Sequence, residues 1–332
     1  MKAFAIEKYG NHPLKLMNFP IPTVGEHDLL VEIYAASVNP IDFKLRDGKV
    51  KILLRYDMPL ILGNDCAGIV TKVGIKVTRF KIGDEVYARA PKNRIGTFAE
   101  YIAIAEDAVA LKPKNISFEE AASIPLVGLT SYQVLHDVMK LKSGEKVLIQ
   151  AGAGGVGTFA IQFAKTLGAF VTTTASDAGF DLVKSLGADQ VINYKSENFV
   201  DILQGYDAVY DTLGDESLEK SFKIIKPGGS IVSVSGVPNA QFAREQQLGL
   251  LKILLFSIIT RKITKLEKLY DATYTFHFMS ANGKQLGIIG KLIEEDKIKP
   301  VIDKTFPFCE TQDALNYLES GRAKGKVVIK LK

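Results

Sequence analysis

Cysteine and histidine are both scarce in this chain of 332 residues. Two cysteines, Cys66 and Cys309, cannot build a disulfide framework, nor a cysteine zinc site. The four histidines are His12, His27, His136 and His277; no two have ligand spacing, so each reads as a surface or packing residue. Charge of one sign is lacking too. Against 42 Lys and Arg stand 37 Asp and Glu, a net +5, and the basic residues form no stripe, which argues against a nucleic-acid partner. Met1–Lys8 has no apolar core of the signal-peptide kind, so a reducing cytoplasm is the expected location. No internal repeat or low-complexity linker is present. What remains is 47% hydrophobic and 24% charged, ordinary for a globular enzyme, at a length that suggests two domains.

The most informative stretch is Val147-Leu148-Ile149-Gln150-Ala151-Gly152-Ala153-Gly154-Gly155-Val156-Gly157. A short apolar strand feeds a glycine turn, which opens into a helix carrying Ala160, Phe163, Ala164 and Leu167 at helical spacing. Glycines let the chain turn tightly and let a pyrophosphate approach the amides, and the helix N-terminus offers N–H groups and partial positive charge. The sequence predicts a dinucleotide site here. The next strand, Ala169–Thr174, ends without the Asp or Glu that holds a ribose 2′-hydroxyl in NAD enzymes. Thr174 and Ser176 would tolerate a 2′-phosphate, so NADPH is the expected cofactor. Asp177 complicates this, unless it caps the next helix. No Lys or Arg lies between Ala175 and Asp181 to clamp the phosphate.

Three regions follow from the patterning. Residues 1–122 alternate short β-rich runs with Gly, Pro and Asn turns, an all-β pattern. Residues 123–280 alternate strand and helix, with strands at Val147–Gln150, Phe170–Thr174, Gln190–Asn193, Ala208–Asp211, Ser230–Ser233 and Thr273–Phe278, implying a doubly wound parallel sheet and an α/β fold. Residues 281–332 carry helices at Gln285–Glu295 and Thr311–Ser320 and a strand at Lys326–Leu331, and are expected to return to the first domain. The segment 248–259 is strongly apolar but too short to span a bilayer. It reads as a buried helix or subunit contact, or else as a peripheral membrane attachment helped by Arg261, Lys262 and Lys265.

Several further strings are distinctive together. They are Ala36-Ser37-Val38-Asn39-Pro40-Ile41-Asp42, Gly63-Asn64-Asp65-Cys66-Ala67-Gly68-Ile69-Val70, Val73-Gly74 with Phe80–Val86, Gly96–Tyr101, Pro125–Tyr132, and the closing Gly321–Val328. With the glycine turn, they make the chain resemble the medium-chain dehydrogenase/reductase superfamily over essentially its whole length. The branch is the zinc-free quinone oxidoreductases, and the subgroup that of plant chloroplast enone and quinone reductases and reticulon-interacting mitochondrial proteins. The resemblance implies a GroES-like β-barrel domain plus a Rossmann domain. It also implies a homodimer joined through Thr273–Phe278, a strand of high β-propensity that would be a liability if left unpaired.

Zinc enzymes of this superfamily carry Cys where this chain has Asn39 and His where it has Asn64, so no metal is expected. Without a Lewis acid, reduction of an already polarised acceptor is the feasible chemistry: hydride from NADPH to a quinone or to the β-carbon of an enone. Asn39 is a candidate donor near the nicotinamide. The resemblance makes Lys44 face the active site, where it would stabilise an enolate oxygen or protonate it; the alternative is a solvated loop lysine. Asp42 would orient Lys44 or cap the turn. Carried over in the same way, Thr130 and Phe278 lie beside the nicotinamide. Gly154, Gly155 and Val156 cover the pyrophosphate. Ser176 and Tyr194 flank the 2′-phosphate, Leu213, Ser235 and Gly236 line the cofactor crevice, and Arg322 or Lys326 reaches the adenosine phosphate. An enoyl-thioester reductase and a non-catalytic NADPH-binding partner protein remain the competing readings.

Overall fold

Apolar runs broken by Gly, Pro and Asn fold as antiparallel strands through the first part of the computed structural model, which describes residues 1–332. The larger sheet orders its strands Ile302–Pro307, Lys326–Lys330, Asp28–Val38, Asp65–Val73, Glu85–Arg89 and Val109–Leu111, with Tyr101–Ala105 also on Asp28–Val38. The first two of these run parallel; the other pairings are antiparallel. Lys15–Asn18, Lys2–Ile6 and Leu60–Ile61 make a small second sheet. Ile6, Leu29, Ile33, Leu45, Leu62, Phe98 and Ile104 are fully buried in one core, each contributing ~1.5–3 kcal/mol by leaving water.

This unit comprises Met1–Leu129 and Ser280–Lys332. It runs past the expected boundary at 122 because the helix Phe118–Ala122 packs on Asp28–Val38 and Asp65–Val73, and the Leu126 N–H is tied to Asp65. The central strand runs from Asp28 to Val38 and is buried along most of its length.

Thr130–Met279 forms the second unit. Six parallel strands lie in the order Gln190–Asn193, Phe170–Ala175, Lys146–Ile149, Tyr206–Asp211, Ile225–Ser233, Thr273–Phe276. Numbered along the chain, that is 3-2-1-4-5-6, the Rossmann order. The order reverses between Lys146–Ile149 and Tyr206–Asp211, where ligands of open α/β sheets bind beyond the strands' carboxyl ends. Lys146–Ile149 and Tyr206–Asp211 are buried almost throughout, as central parallel strands must be. Thr273–Phe276 pairs on one side only and forms an edge.

The apolar segment departs from the reading of a buried helix. Leu250–Ile259 is helical, but Phe256 alone among its residues is fully buried, and Leu250, Leu251, Leu254, Leu255, Ile258 and Ile259 face outward. No helix is long and apolar enough to cross a membrane.

Candidate active site

In the first unit, four adjacent strands bring one polar side chain each into a row. Ser37 is in register with Asp65, Asp65 with Arg89, and Val327 with Val38, which sets Lys326 beside Asn39. All five groups are 4% exposed or less, which makes their pairing obligatory. Asp65 accepts at one oxygen from Asn39 Nδ2 (2.9 Å) and Ser37 Oγ (3.1 Å), and at the other from the Leu126 N–H (2.9 Å). The Lys326 ammonium donates to the Val38 carbonyl and to Asn39 Oδ1, 3.6 Å from Asp65. Burial pushes the Asp65 carboxyl up and the Lys326 ammonium down, each against the attraction of the other.

A second carboxylate lies beside this row. Asp42 accepts from the Asn39 N–H (2.7 Å) and from Asn64 Nδ2 (2.7 Å), and burial pushes it up to about 7. Two acids and two bases are thus enclosed together, with Arg89 donating to the Ala90 carbonyl. No group of three or more His, Cys, Asp or Glu is arranged to hold a metal ion. Asn39 is bonded to Asp65 and Lys326, and Asn64 to Asp42.

This network anchors the helix Pro40–Arg46. Proline suits its first turn, and Asp42 caps it. Four residues on, and so on the same face, Arg46 is buried and forks onto both Glu319 oxygens at 3.1 Å, with Asp47 at 2.8 Å. The helix is therefore pinned at both ends. Lys44, two residues from Asp42, lies on a different face. It is half-buried and paired with no carboxylate; burial, helped by the Lys49 charge, holds its pKa below the usual lysine value.

One open alternative is decided here and two expectations change. Asp42 caps the helix and binds Asn64; it does not orient Lys44. Asn39 is 1% exposed, with its amide donors and acceptor all taken inside the protein, so it is not a free donor to a ligand. Lys326 is committed to the same buried row and cannot serve an adenosine phosphate. Arg322 lies exposed in the turn before Lys326–Lys330, its Nε donating to Ser320 Oγ at 3.2 Å.

In the second unit, the remaining residues gather beyond the carboxyl ends of the six strands, except Thr130, which is buried in the helix Pro125–Tyr132. After Lys146–Ile149 the chain turns through Ala151 in a left-handed conformation (φ 51°), held by its N–H to Thr174 Oγ1 at 3.0 Å. A Cβ on Gly152 would come within 2.1 Å of Thr173 Oγ1, and one on Gly157 within 2.4 Å of the Ala151 carbonyl. The turn therefore lies flat against the helix Gly155–Thr166, whose N-cap Gly154 supplies no side-chain cap. The N–H groups of its first turn are thus left for a ligand, the geometry a pyrophosphate requires. The chain fits the cofactor expected of it.

Thr174 serves this turn and is 4% exposed; the strand continues to Ala175, and Ser176 and Asp177 are the first groups beyond it. Asp177 accepts from Asn193 Nδ2 at 2.6 Å, and Tyr194 is exposed at the end of the neighbouring strand. Lys195, exposed on the same turn with its N–H on Asn193 Oδ1, is a cation outside the stretch Ala175–Asp181 that register with the next strand brings there. Buried Asp211 was missed as well. It accepts from the N–H groups of Leu213 and Gly214 (3.1 and 2.9 Å) and from Ser233, whose Oγ in turn accepts from Gly236 N–H at 2.7 Å. One carboxylate thus shapes the ends of two strands and places Leu213, Ser235 and Gly236 at the crevice. Phe278, past the edge strand, packs edge-on against Phe242.

A model of the alcohol dehydrogenase GroES-like domain matches residues 25–114, and one of zinc-binding dehydrogenases matches residues 186–329. The chain is 40% identical over 345 residues to 2-methylene-furan-3-one reductase of Solanum lycopersicum, covering 99% of this chain and 79% of that protein. It is 36% identical over 344 residues to the chloroplastic NADPH-dependent alkenal/one oxidoreductase of Arabidopsis thaliana, with coverage of 99% and 79%. Among solved structures, the quinone oxidoreductase from Coxiella burnetii superposes with a TM-score of 0.84 at 34% identity, covering 100% of this chain and 99% of that one.

Proposed function

The chain belongs to the medium-chain dehydrogenase/reductase superfamily, in its quinone oxidoreductase-like branch, and is an NADPH-dependent oxidoreductase; from that premise we propose that it reduces α,β-unsaturated carbonyl compounds and quinones without a metal, with Lys44 as the electrophilic group. The observation that carries this is the unpaired, half-buried Lys44 ammonium on a helix pinned at both ends. A lysine with only solvating duties would gain nothing from such anchoring.

When bound, NADPH supplies the hydride. The first-turn amides of Gly155 and Val156 would hold its pyrophosphate, and Ser176, Tyr194 and Lys195 its 2′-phosphate. Thr130 and Phe278 would flank the nicotinamide, with Leu213, Ser235 and Gly236 along the crevice. Lys44 donates a hydrogen bond to the acceptor's carbonyl oxygen, which gains negative charge as the β-carbon gains hydride. Its depressed pKa favours giving the proton to that oxygen, and water returns one to the amine. The Asn39–Asp42–Asp65–Lys326 network acts one step back, as the support of the Lys44 helix. We infer also a homodimer built on the free edge Thr273–Phe276.

The test is NADPH oxidation against a panel of 2-alkenals, quinones and enoyl thioesters, with wild type and Lys44→Ala. For enones, kcat/KM should fall roughly 10- to 1000-fold, ~1.4–4 kcal/mol, with NADPH affinity little changed. Quinones should suffer less, because they accept electrons readily and their product oxygens protonate from water. Wild-type enone rates in the variant would sink the assignment.

A further inference from the structure

The helix Leu250–Ile259 exposes a large apolar surface that no part of the chain covers. Leu250 and Leu251 are 84% and 85% exposed, and Leu254, Leu255, Ile258 and Ile259 are also open. At about 100° per residue these six side chains sweep about 180° around the helix. Phe256 and the partly buried Ile253 occupy the opposite side and dock the helix onto the rest of the unit. Leu269, on the following helix Arg261–Tyr270, is 72% exposed.

The chain segment that carries this face is basic. From Gln246 to Leu266 the chain carries Lys252, Arg261, Lys262 and Lys265 and no acid. Lys262 pairs with Glu219, whereas Arg261, Lys265 and Lys268 are exposed and make no ion pair. Glu267 is turned to the Tyr274 N–H instead.

We propose that Leu250–Ile259, with the basic start of Arg261–Tyr270, is a docking face for an anionic lipid bilayer surface. Two features select this occupant. A surface helix needs one apolar stripe, of about 100° or more, to dock on its own core; here Phe256 and Ile253 fill that role, and the further half-circumference of Leu and Ile suits a helix lying in the acyl–headgroup boundary. A second copy of this chain, meeting face to face across a two-fold axis, would bring like charges together; phosphatidylserine headgroups supply the opposite charge. The ten-residue helix lies on the membrane and does not cross it.

The experiment is co-sedimentation of the full chain with vesicles of phosphatidylcholine alone or of phosphatidylcholine with phosphatidylserine. Binding should be at least ~10-fold stronger to the anionic vesicles and weaken as salt rises. Leu250→Glu/Leu254→Glu/Ile258→Glu alters only exposed positions, so thermal unfolding should match wild type while vesicle binding is lost. Arg261→Glu/Lys265→Glu should lose the preference for phosphatidylserine. The proposal is overturned by absence of binding to the anionic vesicles, by equal binding to both kinds, or by triple-variant binding equal to wild type. It is also overturned if wild type self-associates through this face and the triple variant does not, which would make the occupant a second copy.

Discussion

Asp42→Asn should remove a decline in stability between pH 4 and pH 8. Asp42 is fully buried and burial pushes its carboxyl up to about 7. In the unfolded chain it titrates near the ordinary aspartate value of about 3.9. Between those two values the folded protein holds a proton that the unfolded chain has released. Stability therefore falls as pH rises through that window, and the fall is complete only above about 7. At 1.36 kcal/mol per pH unit, a gap of about three units gives a loss on the order of 4 kcal/mol between pH 4 and pH 8. Asparagine cannot ionise, yet its oxygen can still accept from the Asn39 N–H, and its amide can donate to Asn64 Oδ1, which has no partner. The variant should lack this decline, so its stability relative to wild type should rise by a similar amount from pH 4 to pH 8. Urea unfolding of both proteins across that range measures it. A wild-type-to-variant difference that does not change with pH refutes the reasoning and means that Lys326 and Arg89 hold Asp42 ionised throughout.

NADPH should bind at least ten times tighter than NADH, ~1.4 kcal/mol or more, by cofactor fluorescence titration; Lys195→Glu should remove most of that preference, and an unchanged ratio would discard Lys195 as the phosphate's cation. Protein purified without added zinc should contain far less than one metal per chain by elemental analysis and keep full activity in a strong chelator, because Asn39 is bonded to Asp65, Asn64 to Asp42, and Asp65 faces the Lys326 ammonium. Light scattering at micromolar concentration should report a dimer, and a charge placed on the free edge, Thr275→Lys, should shift it towards monomer; a monomeric wild type would refute the edge-strand pairing.

Local rules made the parallel sheet legible. A strand, a glycine turn and a helix in direct succession leave few alternatives, and the steric demands at Gly152 and Gly157 are the reason those positions carry glycine. The buried row was not legible, because its members meet only through register. Lys326 lies 287 residues from Asn39, and nothing in a closing Gly-Lys-Val string says whether its lysine is exposed. An asparagine amide in the sequence says nothing of its partners, and those of Asn39 come from strands far away in the chain. The apolar segment failed in the opposite direction. Its composition reports how much a helix would gain by burial, not whether the fold supplies a surface to cover it. Lys195 was not legible for the same reason as the buried row: adjacent parallel strands bring Ser176 and Tyr194 together, although seventeen residues of sequence lie between them.

The row also shows how separate strands can be joined at a buried polar site by side chains alone. A divalent ion held by thiolate and imidazole joins separate strands by strong bonds, and deleting it would leave buried polar groups unpaired. Here the joining is done by hydrogen bonds of opposite polarity. Lys326 supplies the positive charge, Asp65 receives it, and the Asn39 amide, donating on one side and accepting on the other, bridges the two. Asn64 turns to Asp42 and so fastens the start of the Lys44 helix to the strand Asp65–Val73. A buried ion pair of this kind is a weak source of stability once desolvation is counted. Its consequence is geometric: with Arg46 fixed on Glu319 at the far end, the helix has little freedom to move Lys44. In the proposed reaction the electrophile is the Lys44 ammonium, which suits acceptors that are already polarised. On that physical ground, the reduction of enones and quinones, rather than the oxidation of alcohols, is the chemistry this arrangement favours.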